Sequence, residues 1–232
     1  MLQWTRSRYQ TAPATTSALA YLVLATVRIT GAYSIPLMVL SIALTPIVIF
    51  TVPRHAWFDI GMRRSHSHRM LGIAVVVVLA SYAVTIVASF TAFGSGDDNW
   101  LSWIPRLFAQ LVPHPIALRV VAMLACLVVL VPLVEEVCYR GVFFHASAQR
   151  VGPVGAVVVT SALWASVHLG DYGLNPWNPK VVVGSLFSVL VMGFGLGICR
   201  LLTGSVVACI IGQGTANFAL YTTLLLHGAR PG

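Results

Sequence analysis

The chain has 232 residues, 58% of them hydrophobic and 9% charged, with a mean hydropathy of +0.87 and a formal net charge of +8. A soluble domain carries roughly a quarter charged residues, so this composition cannot cover a water-facing surface, and its hydrophobicity excludes disorder. The basic excess does not mark a nucleic-acid partner, because the arginines flank apolar runs as membrane-loop residues do.

The expected architecture is all-α: a polytopic transmembrane helical bundle forming a single integral membrane domain over 1–232, with membrane lipid as its surroundings. A hydrocarbon core about 30 Å thick needs about 20 apolar residues per helix. On that scale the chain offers about seven spans, near Ser17–Thr30, Tyr33–Val52, Met70–Phe93, Ile116 into the 140s, Val151–Val167, Val181–Cys199 and Gly204–Leu226. The first is short, carries Arg28 near its end, and also admits reading as a cleaved signal sequence, since Arg6 and Arg8 precede it. With the N-terminus in the cytoplasm, the inner segments hold Arg6, Arg8, Arg54, Arg63, Arg64, Arg69, Arg150 and Arg200, and the outer loops hold Asp97, Asp98 and Asp171 together with Arg106 and Lys180. This asymmetry suits a multi-pass protein of the plasma membrane.

Smaller features read as structural. Trp57, Trp100, Trp103 and Trp177 stand near span ends and are expected in an interfacial belt. His55, His66 and His68 lie among arginines in a basic loop facing water or headgroups. Gly193 and Gly197, with Gly195 between them, mark close helix packing in the sixth span. Cys126, Cys138, Cys199 and Cys209 lie in or beside apolar stretches without metal-type spacing and are read as buried hydrophobes.

Chemistry concentrates in the C-terminal half. Glu135 and Glu136, the only glutamates, are adjacent within an apolar run. A charge at mid-membrane costs at least about 2.5–3.5 kcal/mol, so both need partners. Helical spacing places Arg140 one turn from Glu136, where a salt bridge can form. Glu135 points elsewhere, toward the bundle interior. Downstream, His168 shares a helix face with Trp164, four residues earlier, and Gln213 shares one with Asn217.

The order Glu-Glu-x-x-x-Arg, aromatic-x-x-x-His, polar-x-x-x-Asn resembles the CPBP family of intramembrane proteases, which includes type II CAAX prenyl endopeptidases and bacterial relatives tied to bacteriocin self-immunity. The first motif is carried by Glu135, Glu136 and Arg140, followed by Gly141; the second by Trp164 and His168, with Trp where the family often has Phe; the third by Asn217, with Gln213 where the family usually has His. The family-like core spans approximately 120–226. The resemblance implies an endopeptidase that hydrolyses a peptide bond of a membrane-associated, possibly lipidated, peptide or protein. In that reading Glu135 activates water with His168, Glu136 and Arg140 hold Glu135 in place, and Gln213 and Asn217 supply oxyanion or polar support.

Gln213 bears on the mechanism. An amide donates to an oxyanion as a histidine would, but it is a poor metal ligand, and a zinc site built from His168 and Glu135 or Glu136 would be incomplete. A metal-independent glutamate mechanism is therefore favoured. Two other classes remain open: an inactive membrane scaffold or immunity-type factor of the same family, and a proton-coupled transporter using the same carboxylates. Counting from the outer span ends places His168 nearer the outside than Glu135, a mismatch that tilt, a fourth helix extending past the membrane surface, or a separate short helix beginning near Pro132 would remove.

Overall fold

The computed structural model describes residues 23, 25–44, 46, 52–65 and 67–226. Every extended regular element among them is helical. Residues 25–31 are helical and precede α1 (Ile35–Leu44). Then follow α2 (His68–Phe93), the short α3 (Trp103–Leu111), α4 (Ile116–Leu124), α5 (Val131–Glu136), α6 (Phe144–Val167), α7 (Pro179–Thr203) and α8 (Val206–Leu226). Arg6, Arg8 and His66, half of the first expected span and part of the second lie outside the described residues.

Four helical segments among the described residues are long and apolar enough to cross a membrane: His68–Phe93, Ile116–Gly170, Pro179–Thr203 and Val206–Leu226. They overlap the third to seventh expected spans, the fourth and fifth falling within one 55-residue run, so four candidate spans stand where five were expected over these residues. At 1.5 Å per residue that run would be about 80 Å long if straight, far beyond a bilayer. It is broken at Gly152, whose φ of 75° only glycine adopts readily, and Pro153 starts the returning limb. The limbs lie side by side, since Phe144 packs with Ala156 and Val157.

Helix ends follow local chemistry. The Ser67 hydroxyl accepts from Met70 N–H to open α2, and Asn178 accepts from Lys180 and Val181 N–H to open α7, with Pro179 in its first turn. Gly204, at φ 63°, ends α7, and Ser205 Oγ then accepts from Ala208 N–H at 3.1 Å to start α8.

Helix α7 is the centre of the bundle. A Cβ on Gly193 would sit 3.0 Å from Ser161 Cβ, and one on Gly197 2.6 Å from Val157 Cγ1, so these two glycines admit α6. Gly195 admits Ser81 of α2 on another face. Close approach of this kind provides much of the packing between helices in lipid, where burial of apolar surface supplies little. The outward side chains Val76, Val84 and Val87 of α2 and Val183 and Phe187 of α7 are exposed and apolar, as a lipid-facing surface requires.

Two expectations are corrected here. Trp100 is not in an interfacial belt: it is buried, and its Nε1 donates to Ser89 Oγ (3.0 Å) and Ser188 Oγ (3.1 Å), pinning α2 to α7. Arg200 is not a loop charge: it lies buried in α7, donating from Nε to Arg140 O (2.9 Å) and from Nη2 to Ile60 O (3.1 Å).

Two π-helical stretches, Ala125–Leu130 and Val137–Phe143, flank α5. In the first, Val131 N–H bonds to Cys126 O, one residue further back than an α-helix allows. Leu127 O thereby loses its α-helical donor, and Pro132, next in π register, has no N–H to offer. Asn217 Nδ2 of α8 donates to Leu127 O instead, at 2.7 Å. In the second stretch Phe144 N–H reaches Tyr139 O, and the Arg140 carbonyl it would have taken accepts from Arg200. Both ends of the segment carrying the glutamates are thus fastened by side chains from distant helices.

Gly214 lies against the first bulge, and a Cβ there would stand 2.6 Å from Val128 O. Because the clash is with backbone, Gly214→Ala is expected to cost about 1–3 kcal/mol, read as a lower melting temperature in detergent.

Candidate active site

Glu135 ends α5 side by side with Glu136, and both are buried. Glu136 Oε1 accepts from Arg140 Nη1 at 2.8 Å, a pair with no solvent exposure on either side chain, as the one-turn spacing predicts. Arg140 also donates from Nη2 to Gly193 O (3.1 Å) and lies 4.8 Å over the Trp164 ring. A buried cation so enclosed has few other positions available, which fixes the helix face of Glu135.

Glu135 Oε2 accepts two hydrogen bonds, from Trp164 Nε1 (3.1 Å) and Gln213 Nε2 (2.9 Å). Both residues that depart from the family's usual pattern therefore touch the same carboxylate oxygen. Phe at 164 would pack there but offer no N–H. The Gln213 Oε1 and Glu136 Oε2 atoms are buried with no hydrogen-bond partner among the described residues.

His168 follows α6 in a 3-10 turn, His168–Gly170. Its Nδ1 lies 2.8 Å from Trp164 O and its ring meets the Trp164 ring edge-on, with centroids 5.1 Å apart. A carbonyl can only accept, so Nδ1 carries a hydrogen, and in the neutral ring Nε2 presents its lone pair. Nε2 faces Asp171 Oδ2 at 3.8 Å.

Sequence reasoning missed Arg28 and Asp171 as part of this cluster. Arg28 grips Asp171 with both prongs, Nε to Oδ1 (2.8 Å) and Nη2 to Oδ2 (2.7 Å), while Nη1 lies 3.8 Å from Glu135 Oε1. Burial opposes the charge on Asp171, but the Arg28 guanidinium outweighs it and holds this carboxyl below the usual carboxylate range. A charge within an expected span needs a partner, and that requirement was the available signal for Arg28.

The structure thus brings Glu135, Trp164 and Gln213 into direct contact, with Arg28 and Asp171 linking Glu135 to His168. It places Glu136 and Arg140 behind Glu135, and Asn217 on the Leu127 carbonyl. The depth mismatch disappears because the useful origin is the hairpin break: Glu135 lies seventeen residues before Gly152 and His168 sixteen after it.

A metal fits these residues poorly. No three His, Cys, Asp or Glu side chains among the described residues are grouped as metal ligands, and the position facing Glu135 is taken by a guanidinium, whose fixed charge repels a dication.

No curated protein and no solved structure matches the chain. Residues 117–219 do match the family described as Type II CAAX prenyl endopeptidase Rce1-like. That match is to a protease family, and it bears out the resemblance carried by the three motifs, placing this segment in the CAAX protease-like family.

Proposed function

We propose that the chain is an intramembrane endopeptidase in which Glu135 is the general base and His168 its partner. The observation that carries this reading is the division of labour on Glu135. Oε2 is held by Trp164 and Gln213, whereas Oε1 has no hydrogen bond among the described residues and is turned toward Arg28.

In the proposed reaction, water gives a proton to Glu135 as its oxygen bonds to the scissile carbonyl carbon. The C–N bond then breaks, and the proton passes to the leaving amine. His168 Nε2, with its lone pair exposed by the Nδ1–carbonyl bond, orients the water or carries the proton. Gln213 supplies an amide donor to the developing oxyanion, and Asn217 supports the site by holding the π-bulged helix that carries Glu135. Glu136 and Arg140 fix the orientation of that helix.

The substrate we propose is a membrane-associated peptide, with a prenylated CAAX peptide as the first probe on the strength of the family's description. We place the chain in the plasma membrane as a single domain of about seven spans, in contact with lipid and with its N-terminus in the cytoplasm.

Purified chain in liposomes should cleave such a peptide, with the products identified by mass spectrometry, and a zinc chelator should leave the rate unchanged. Absence of cleavage across prenylated and unprenylated peptides would favour the scaffold reading, and inhibition by the chelator would overturn the metal-independent mechanism.

A further inference from the structure

Arg28 lies well outside the matched segment, yet it reaches the centre of the site. The contact is built from both sides. Gly170 ends the His168 turn directly on the backbone of residues 28 and 29, where any Cβ would overlap the Arg28 carbonyl. Asp171, the next residue, then takes two of the three guanidinium nitrogens in a fork, the geometry that most restricts an arginine. The third, Nη1, is aimed toward Glu135 Oε1 at 3.8 Å, too far for a hydrogen bond. A nitrogen held in place, permanently charged and beside the proposed base has the attributes of a donor waiting for a group that arrives later.

We infer that Arg28 is a catalytic residue of this chain: its Nη1 donates to the oxyanion that forms when water adds to the scissile carbonyl, supplying the positive charge that Gln213, a neutral amide, lacks. The inference rests on the proposed peptidase reading. It makes the N-terminal helix part of the active site, and it gives Asp171 and Gly170 one role, that of positioning the guanidinium. As the carbonyl oxygen gains charge it moves into reach of a donor that does not itself have to reorganise, so the interaction strengthens in the transition state and not in the bound substrate.

The test uses the full chain in liposomes, a prenylated CAAX peptide, and a phosphinic analogue of that peptide whose tetrahedral anion mimics the intermediate. Arg28→Gln is expected to lower kcat by about 10²–10³-fold, the usual loss for one oxyanion donor, with KM nearly unchanged. Analogue affinity should fall by a comparable factor and peptide affinity should not. Gln213→His should raise kcat about tenfold in the Arg28→Gln background and little in the wild-type chain, because it restores a donor only where one is missing. If Arg28→Gln does not fold, Arg28→Lys carries the test, since it keeps the charge and loses the fork; selective loss of analogue binding supports the assignment. Equal losses for peptide and analogue, or an unchanged kcat, would overturn it. Glu135→Gln run in parallel separates the two claims: retained cleavage there defeats the peptidase site itself, whereas loss there with normal Arg28→Gln kinetics defeats only the role of Arg28.

Discussion

Glu135→Gln is expected to lower the rate of peptide cleavage by about 10²–10⁴-fold, the range a positioned general base supplies, without unfolding the chain. The substitution preserves shape, and the geometry explains why it should preserve packing. Trp164 Nε1 and Gln213 Nε2 both donate to one oxygen, Oε2, and an amide carbonyl in that position accepts both. The new NH₂ then falls on the side of Arg28, which keeps its fork to Asp171. What is lost is the basic oxygen. Glu135→Ala is the less informative variant, because it strands two buried donors at about 1–3 kcal/mol each and mixes unfolding with lost chemistry. Single-turnover kinetics beside a thermal melt distinguish the two effects.

Arg140→Met should have the largest effect on stability, about 3–5 kcal/mol, because it leaves the Glu136 carboxylate buried without its cation. It also removes the donor to Gly193 O and the cation stacked on Trp164, so α6 and α7 lose a common anchor. The cost should be strongly non-additive. Adding Glu136→Gln to Arg140→Met removes the stranded charge, and the double variant is expected to melt well above the single one. Melting of the four chains of that cycle in detergent would check this; additive losses would mean that the pair does not act as a unit.

The parts of the site legible in the sequence were those that obey a local period. Glu136 and Arg140 are one turn apart, Trp164 and His168 share a face, and Gly193, Gly195 and Gly197 of α7 face two neighbours as their spacing implies. Composition likewise identified the apolar helices. Four features were not legible because they depend on contacts distant in sequence. Trp100 looked like a belt residue until Ser89 and Ser188 met its indole nitrogen. Arg200 looked like a loop charge because a terminal arginine gives no sign that a π bulge elsewhere has freed a carbonyl for it. The levelling of Glu135 with His168 was hidden because nothing local marks Gly152 as the break from which both limbs are measured. Arg28 was noticed as an oddity of a short span, but nothing local connects it to Asp171, 143 positions away.

In the proposed mechanism Glu135 activates water in place and does not itself attack the substrate. A single turnover of the prenylated peptide in water labelled with heavy oxygen tests it most directly. One labelled oxygen is expected in the new carboxyl group of the product and none in the enzyme, with no labelled product from the Glu135→Gln chain. Label recovered in the Glu135 carboxylate, or normal labelling of product by Glu135→Gln, would contradict it.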